Sequence, residues 1–448
     1  MAKKGKKRKR KKKNYFLNTL LTFLLVFSSV LILGILLFLV WRNAGKKEEG
    51  EIAGRDPAAN ALGRITENIP QEEPQEDLAG MEDTQGQGGL LGSVQETEES
   101  GEEPKGKYAE ILSDPVYMAE NNIYEKETSK EGEVTLAFGG DILFDPSYSV
   151  MASLLQRAGG IHDSISEDLM DEMKNADIMM INNEFPYSGR GIPTEGKQFT
   201  FRARPESASI LEEMGVDIVS LANNHAYDYG EEAFLDTIDT LAGIGMPYVG
   251  AGRNLEEASK PVYFIAGDMK IAIVSATQIE RLDNPDTKGA DDSSAGVFRC
   301  LNPDHLLEAV REAKENSDFV VVYIHWGTEN TAEVDWLQLD QAPKIADAGA
   351  DLIIGDHPHC LQPIEYVNGV PVVYSLGNFW FNSKELDTCL VKAVVGEEGL
   401  KSLQFVPALQ KGCKTSMLHG EEKARVLNYM RSISPKIDID EEGYISEK

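Results

Sequence analysis

Cysteine is scarce in this chain, which has four among 448 residues: Cys300, Cys360, Cys389 and Cys413. No two of them form a C-x-x-C pair, which excludes a zinc ribbon and a thioredoxin-type redox motif. We expect scattered, semi-buried thiols, because a free cysteine usually behaves as a small apolar residue. One or two disulfides are the alternative if the folded domain lies outside the cytoplasm.

Basic residues are also in the minority, with 44 Lys and Arg against 74 Asp and Glu and a formal net charge of −30. A nucleic-acid partner is therefore excluded, because a phosphate backbone requires a basic face. The start of the chain is mostly Lys and Arg, so the rest is more acidic still. The 42% apolar and 8% aromatic contents are typical of a globular protein with a sizeable core.

The amino terminus combines a basic head, residues 1–14, with an almost uncharged apolar run, residues 15–41. The run is long enough to cross about 30 Å of hydrocarbon as a transmembrane helix, with Tyr15 and Trp41 at its two ends. The positive-inside rule keeps the head cytoplasmic, so we expect a single-pass cell-membrane protein whose carboxyl-terminal domain is extracellular. A cleavable signal peptide is the alternative, although the run is long for one and no clear A-x-A site follows it.

Composition divides the rest of the chain into further segments. Residues 42–131 are rich in Glu, Gln, Gly and Pro without periodicity, which predicts an acidic, flexible and disordered linker. Within it, Tyr108–Tyr124 is less polar, and we expect it to dock on the domain that follows. The folded domain is predicted over residues 132–410. Residues 411–448 form a carboxyl-terminal extension, which we expect to end in a solvated tail at Asp438–Lys448.

Short apolar runs alternate with segments of helical spacing from residue 133 onward. The predicted strands are Val134–Phe138, Asp177–Ile181, Ile218–Ala222, Lys270–Ala276, Phe319–Ile324, Leu352–Ile354, Val370–Leu376, Cys389–Val395 and Leu403–Val406. The predicted helices are Ser207–Met214, Glu231–Leu241, Asp304–Asn316 and Trp336–Ala348. This alternation predicts an α/β fold with largely buried strands.

Polar residues with metal-binding chemistry directly follow five of these strands. They are Asp141, Glu184, Asn224 with His225, His325, and His357 with His359. Ligands bind at the carboxyl edge of open α/β sheets, so we expect these side chains to converge at one edge. The loop after Ile218–Ala222 is the richest, because it adds the carboxylate of Asp228 to an amide and an imidazole.

Each of these residues alone has an ordinary structural interpretation. Asp141 after two glycines is typical of a turn, Glu184 after two asparagines is typical of a cap, and His325 suits a hydrogen-bonded core. His357-Pro358-His359 is a stronger signal, because two imidazoles can face one ion across a rigid proline. Taken together, carboxylate, amide and imidazole predict one or two divalent metal ions, with Mn, Zn or Fe preferred over Ca.

Five sequence blocks surround these positions. They read Asn182-Asn183-Glu184-Phe185-Pro186, Asn223-Asn224-His225-Ala226-Tyr227-Asp228-Tyr229-Gly230, His325-Trp326-Gly327, His357-Pro358-His359 and Tyr374-Ser375-Leu376-Gly377-Asn378-Phe379. In order and spacing they resemble the signature blocks of the CapA-type capsule synthesis proteins, a family associated with bacterial poly-γ-glutamate synthesis and export. The resemblance covers about Val134–Phe381. It implies a capsule protein that works with an anionic polymer, poly-γ-glutamate, and with capsule synthase membrane subunits.

The CapA-type family is similar in turn to the calcineurin-like metallophosphoesterases, which implies a four-layer αββα sandwich. By that resemblance the metal ligands are Asp141, Glu184, Asn224, His325, His357 and His359, and Glu184 bridges two ions. His225 would donate a proton to the leaving group, and Asp228 would orient it. The implied reaction is attack of a metal-activated water on a phosphoryl or amide-type centre.

The chain departs from the phosphoesterase pattern at three positions. Leu143 stands where the first motif has a histidine, Glu184 replaces an aspartate, and Asp356 stands where many relatives have another histidine. A one-metal site and an altered two-metal site are both consistent with these departures.

Lys197, Arg202 and Arg204 lie in the basic stretch K-Q-F-T-F-R-A-R, and we expect them to bind an anionic substrate, either poly-γ-glutamate or a phosphate ester. An ordinary surface strand is the alternative. The preferred function is a membrane-anchored, extracytoplasmic component of poly-γ-glutamate capsule synthesis or export. Two other functions remain open: a metal-dependent phosphodiesterase or phosphatase of cell-envelope polymers, and a scaffold that binds polymer or synthase subunits without turnover.

Overall fold

The computed structural model describes residues 106–280 and 287–448. The predicted basic head, the predicted transmembrane helix and the predicted linker as far as residue 105 lie outside the described residues. Within the part of the chain that is described, no helix combines the length and the apolar character needed to cross a membrane.

The strands are numbered in chain order. They are β1 (Ile123–Lys126), β2 (Glu133–Ile142), β3 (Ile178–Asn183), β4 (Ile218–Ser220), β5 (Tyr248–Val249), β6 (Ala251–Gly252), β7 (Val262–Ala266), β8 (Met269–Thr277), β9 (Gly296–Val297), β10 (Phe319–His325), β11 (Leu352–Asp356), β12 (Ile364–Val367), β13 (Val370–Val373), β14 (Asn378–Trp380), β15 (Leu386–Gly396), β16 (Gly399–Lys411), β17 (Lys414–Met417), β18 (Ile437–Ile439) and β19 (Tyr444–Glu447). Each strand predicted from the sequence has a counterpart here.

The helices are numbered in the same way. They are α1 (Ala109–Leu112), α2 (Pro115–Glu120), α3 (Ser149–Leu154), α4 (Glu167–Lys174), α5 (Ser209–Glu213), α6 (Gly230–Gly243), α7 (Leu255–Ser259), α8 (Asp304–Glu315), α9 (Trp336–Ala348) and α10 (Gly420–Ile433), with short 3₁₀ turns at Gly160–Asp163 and Pro205–Ala208. Helix α9 begins with a capping box, in which Asp335 and Gln338 each accept from the other's backbone N–H. Gly349 ends it in the left-handed conformation.

Two large sheets organise the described residues. A seven-stranded sheet has the order β1-β7-β8-β10-β11-β13-β12, and a ten-stranded sheet has β18-β19-β16-β15-β2-β3-β4-β5, with β14 on β2 and β17 on β16. Strands β8, β10, β11 and β13 are parallel in the first sheet, as are β2, β3, β4 and β5 in the second. Each sheet therefore presents a row of carboxyl strand ends.

Alternating side chains divide the core into layers. Along β10, Val321 and Tyr323 point into the core that the two sheets share, whereas Val320 and Val322 pack with α8 and α9 on the outer face. Helices α3 to α6 cover the outer face of the ten-stranded sheet in the same way. Because both faces of the central strands are covered, these strands read as continuous apolar runs. The predicted α/β class is confirmed, and the layers run helix, sheet, sheet, helix.

The structure differs from the predicted boundaries at both ends of the domain. Residues 106–131, predicted as linker, contain α1, α2 and β1, because Ile123 is buried where β1 pairs with β7. The expected docking of Tyr108–Tyr124 is observed: Tyr108 donates a hydrogen bond to Asp318 Oδ2 at 2.6 Å, and Lys107 pairs with Asp318 Oδ1. These contacts fix the entering chain at the amino end of β10.

The carboxyl-terminal extension, residues 411–448, is likewise part of the ten-stranded sheet. Strand β19 pairs with β16 and β18, and Ile445 is buried, so Asp438–Lys448 is not a solvated tail. The four cysteines are free thiols, and three of them are buried, as the interpretation without disulfides expects.

Candidate functional site

Carboxyl strand ends from both sheets meet at the candidate site. Asp141 of β2 stands opposite Asn182 of β3, and His325 of β10 stands opposite Asp356 of β11. Asn182 Nδ2 donates to Asp141 Oδ1 at 2.8 Å and lies 3.4 Å from His325 Nδ1. The polar ends of the two sheets are therefore in direct contact.

Close backbone packing sets the position of Asp141. A Cβ at Gly140 would lie 1.9 Å from the carbonyl oxygen of Gly377, so only glycine fits there. Gly377 itself has a φ of +70°. This approach lets β14 pair with β2, which places Asn378 beside Asp141.

Glu184 stands out because it is fully buried and neither of its carboxylate oxygens has a hydrogen-bond partner among the described residues. An unsatisfied buried polar group costs about 1–3 kcal/mol, and a charged one costs more. Burial, with the nearby Asp141 carboxylate, raises the pKa of Glu184 well above its usual value. A bound cation would remove both penalties, so this residue fits a metal site.

The first donor set consists of Glu184, His325 and His357, whose ligand atoms all lie within 4.8 Å of one another. His325 Nε2 is 3.0 Å from His357 Nδ1 and 3.7 Å from Glu184 Oε1. The side-chain oxygen of Asn224 lies 2.8 Å from the same nitrogen and adds an amide ligand. Imidazole, carboxylate and amide together suit Zn, Mn or Fe.

The second donor set consists of Asp141, Glu184 and His359. His359 Nδ1 lies 3.1 Å from Asp141 Oδ2 and 2.8 Å from Asn378 Oδ1. Glu184 belongs to both of these sets, as a carboxylate that bridges two ions would, and a third group of Asp141, His325 and Asp356 overlaps each of them. The residues present can therefore hold one ion or two.

The backbone is strained at two of the candidate ligands. His357 has a φ of 92° and His359 a φ of 57°, values that residues other than glycine rarely adopt. The loop after β10 supports this turn, because Asn330 N donates to the Pro358 carbonyl oxygen at 2.8 Å. Such strain persists where the surrounding fold imposes it, and it is common at functional sites.

Burial keeps the histidines of the first donor set uncharged. It lowers the pKa of His325 to about 3 and holds the pKa of His357 well below its usual value. His325 Nδ1 faces Asp356 Oδ1 at 3.0 Å, so Nε2 is the nitrogen directed at the donor set. A neutral imidazole is the form that binds a metal ion.

The second donor set holds an internal ion pair instead. Burial by itself lowers the pKa of His359, but the hydrogen bond with Asp141 and the Glu184 charge outweigh it and raise the pKa to about 10. Burial likewise opposes ionisation of Asp141, yet His359 holds the pKa of that carboxyl below its usual value. A metal ion that enters this set must displace the His359 proton.

His225 and Asp228 form a pair beside the two donor sets. His225 Nδ1 lies 2.7 Å from Asp228 Oδ2, and because a carboxylate only accepts, Nδ1 carries the proton. No described residue hydrogen-bonds to Nε2, and the ring of Phe201 packs against the imidazole in a tilted arrangement, with 4.2 Å between the ring centroids. Burial lowers the pKa of His225 to about 4, so the ring is neutral at pH 7 before substrate arrives.

The three predicted substrate-binding residues have different surroundings. Lys197 Nζ lies 2.5 Å from Asp228 Oδ1 and also donates to the Asn224 carbonyl. The Arg202 guanidinium covers the ring of Tyr229 at 4.2 Å. Arg204 is exposed and precedes the 3₁₀ turn at Pro205–Ala208. Among the described contacts, Lys197 is the member of the three that touches other predicted site residues.

Three further residues hydrogen-bond to candidate ligands although no site role was predicted for them: Asn182, Asp356 and Asn378. Each is a polar residue at an end of a strand, the same signal that identified the predicted ligands. Leu143, at the position of the missing histidine, is buried in the apolar core beneath the helices and cannot bind a metal.

Comparison with known proteins agrees with the predicted family. Residues 135–383 match the family model described as bacterial capsule synthesis protein PGA_cap. The chain is 30% identical over 288 residues to the PGA biosynthesis protein CapA of Bacillus subtilis strain 168, which covers 63% of this chain and 73% of that protein. It is also 30% identical over 316 residues to the capsule biosynthesis protein CapA of Bacillus anthracis, which covers 68% and 74%.

Among solved structures, the sulfate thiohydrolase SoxB of Thermus thermophilus in complex with glycerol aligns at 13% identity and a TM-score of 0.35. The alignment covers 68% of this chain and 61% of that chain, less than two thirds of its length. Such a score supports no conclusion about fold or activity. The family model spans more than half of the chain, and with the two relatives it shows that the chain belongs to the bacterial capsule synthesis protein family PGA_cap.

Proposed function

We propose that this chain is a membrane-anchored, extracytoplasmic component of poly-γ-glutamate capsule synthesis or export, with a divalent-metal centre at the carboxyl ends of its sheets. Family membership supports the capsule role, as does the relative named a PGA biosynthesis protein. The apolar run at residues 15–41 and the basic residues before it support the anchor and its orientation. The polymer and the membrane subunits of a capsule synthase are the proposed partners.

The observation that carries the metal centre is the buried carboxylate of Glu184, which has no hydrogen-bond partner among the described residues and belongs to two donor sets. The first donor set, with Asn224, would hold one ion of Mn, Zn or Fe, and the second, with Asn378, would hold another. Donation from Nδ1 of His325 to Asp356 would leave the lone pair of Nε2 for the ion, an arrangement common in metal sites. When bound, the metal polarises a substrate oxygen and lowers the pKa of water.

The proposed reaction is hydrolysis at a phosphoryl or amide-type centre. Water adds its oxygen to the phosphorus or carbonyl carbon, the bond to the leaving atom breaks, and the leaving atom gains a proton. His225 Nε2 takes up a proton from solvent when the anionic substrate binds and passes it to the leaving atom, and the attacking water releases one proton to solvent. Asp228 meanwhile holds Nδ1 and stabilises the charged ring. An anionic substrate favours this role, because a nearby negative charge raises the pKa of an imidazole.

The second candidate is a metal-dependent phosphodiesterase or phosphatase acting on a cell-envelope polymer. The His225–Asp228 pair favours it over a scaffold, because binding alone requires no residue that transfers a proton. The two candidates differ in substrate and share the same metal centre.

Metal content tests the centre directly. The full-length chain, purified in detergent, is expected to retain one or two equivalents of divalent metal, and Glu184→Gln is expected to lose them. Asp177→Asn is the matched control. Asp177 is a buried carboxylate away from the site, and it accepts hydrogen bonds from the backbone N–H groups of Ser129 and Thr135. Equal metal retention by wild type and Glu184→Gln would exclude the proposed centre.

Hydrolysis assays separate the candidate activities. Wild-type chain is incubated with poly-γ-glutamate and with a phosphodiester, and His225→Ala is expected to keep the metal while losing turnover. A chain without metal or turnover that still binds the polymer would instead be a scaffold. Protease treatment of intact cells tests the location, because an external domain is cleaved and a cytoplasmic one is protected.

A further inference from the structure

The segment of residues 194–202, here called the clasp, runs in an irregular course beside His225 and Asp228. Thr194 N donates to the Asp228 carbonyl oxygen at 2.8 Å, and Phe201 N donates to Asp228 Oδ2 at 2.7 Å. The Phe201 ring packs against the His225 imidazole. The clasp therefore holds Asp228 by backbone and His225 by packing.

Lys197 supplies the charged contact of the clasp. Its Nζ lies 2.5 Å from Asp228 Oδ1 and also donates to the carbonyl oxygen of Asn224. The Lys197 side chain is 4% exposed and that of Asp228 is 0% exposed, so this ammonium group is shielded from solvent. A group used in this way is not free to receive an anionic substrate.

We propose that Lys197 is a positioning residue, whose ammonium group ties the backbone of Asn224 to the carboxylate of Asp228 and so fixes His225 relative to the metal centre. The inference rests on the proposed function for the roles of Asn224 and His225. It replaces the expectation that Lys197 binds substrate.

Hydrogen-bond accounting supports this role. Asp228 Oδ2 accepts from His225 Nδ1 and Phe201 N, whereas Oδ1 accepts from Lys197. Without the ammonium group, Oδ1 would be a buried charge without its partner, and only the two hydrogen bonds to Oδ2 would hold the carboxylate. The Asn224 carbonyl would lose a donor in the same step. The candidate acid and a candidate ligand would then each lose one of the contacts that fix their orientation.

Leaving-group dependence tests the proposal by activity. Two substrates are compared, methyl para-nitrophenyl phosphate and methyl phenyl phosphate, because phenolate needs a proton from the enzyme more than para-nitrophenolate does. Lys197→Met is expected to lower turnover of the phenyl ester by about 10- to 100-fold. Turnover of the nitrophenyl ester should change by less than about threefold, because a good leaving group gains little from an acid. Equal losses on both esters, or no loss, would overturn the proposal.

A spectroscopic measurement tests it without turnover. The His225 Nδ1 proton bonded to Asp228 should give a downfield proton resonance in the full-length chain, assigned by its absence in His225→Ala. Lys197→Met is expected to shift or abolish this resonance, and an unchanged resonance would contradict the positioning role. If the wild type hydrolyses neither ester, the proposed hydrolysis fails while this measurement still decides the role of Lys197.

Lys392→Met is the matched control for loss of an ion pair. Lys392 on β15 pairs through Nζ with Glu172 of α4 at 2.5 Å, and its side chain is partly buried, with 21% exposed. This variant is expected to keep the resonance and the wild-type ratio of the two turnover rates. Identical changes in both lysine variants would mean that general destabilisation, and not the position of His225, is being measured.

Discussion

The first and second donor sets lie side by side and share Glu184, yet they present different chemistry to an ion. In the first, burial keeps His325 and His357 neutral, so their nitrogens are ready to bind. In the second, His359 is a cation paired with Asp141, so a proton occupies the place of a metal. The difference indicates that an ion entering the first set meets no competing proton on the histidines, whereas the second set fills by exchange.

Removing the shared carboxylate breaks both sets and should have the largest effect. Glu184→Gln is expected to weaken metal binding by more than about 100-fold, beyond the range typical of outer-shell changes. In chelator, the same variant should be at least as stable as the wild type, because a neutral amide avoids the negative charge that burial and the Asp141 carboxylate disfavour at this position. Titration calorimetry and thermal unfolding measure the two effects. If metal-free Glu184→Gln were less stable than the metal-free wild type, the assignment of Glu184 as a metal ligand would be contradicted.

Removing one histidine at a time should separate the two sets. His357→Ala is expected to abolish binding of the ion in the first donor set, here called the tighter ion. His359→Ala is expected to abolish binding of the weaker ion, in the second donor set, and to leave the tighter ion bound. Metal stoichiometry by mass spectrometry, with affinities from calorimetry, distinguishes the variants. Exposed His305→Ala serves as control, because that imidazole lies on α8 away from the site. Equal residual affinities in the two site variants would remove the distinction between the sets.

The proton that His359 releases when a metal ion binds should distinguish the second donor set from the first. Because the pKa of His359 is raised to about 10, it carries a proton at pH 7 in the metal-free chain and loses it when the second ion binds. Affinity for this ion should therefore rise with pH between pH 6 and 8, by up to about tenfold per unit for one released proton. Calorimetry in buffers of different ionisation enthalpy counts the protons. His359→Asn should release one proton fewer, and an unchanged count would exclude this assignment.

The smallest effect on metal affinity is expected for Asp356, the carboxylate that faces His325 of the first donor set. Asp356→Asn removes the carboxylate that faces His325 Nδ1 and should weaken the tighter ion by about tenfold, as for other outer-shell partners. The second set should change less, because its histidine bonds to Asp141 and Asn378. Affinity measured for each ion tests this order. A larger loss in the second set would show that Asp356 acts on Asp141 instead.

Much of this site could be predicted from sequence because its residues follow strands. A run such as Phe319–Ile324 identifies a buried strand, and a polar residue after it must emerge at the sheet edge. Asp356 and Asn378 carry the same signal, but a single sequence gives no means to rank neighbouring polar residues, so it predicts no ligand role for these two.

Other features depend on contacts that no local pattern encodes. The partner of Lys197 lies 31 residues away, so a basic stretch read alone suggested an exposed binding surface. The unpartnered state of Glu184 depends on what surrounds it from both sheets. The edge strand β1 was missed because it buries one residue, Ile123, and its neighbours are polar.

The entry point of the chain also determines where a mechanical load would act. Lys107 and Tyr108 both contact the carboxylate of Asp318, which directly precedes β10. His325 ends the same strand, about 23 Å from Asp318 at the usual rise per residue. If residue 106 is pulled through a membrane tether, the load falls first on Asp318 and on Asp268, which accepts from Lys107 N at 2.9 Å. The candidate metal ligand His325 lies at the other end of the strand, so a load applied at residue 106 would act on these contacts before it reached the candidate ligands.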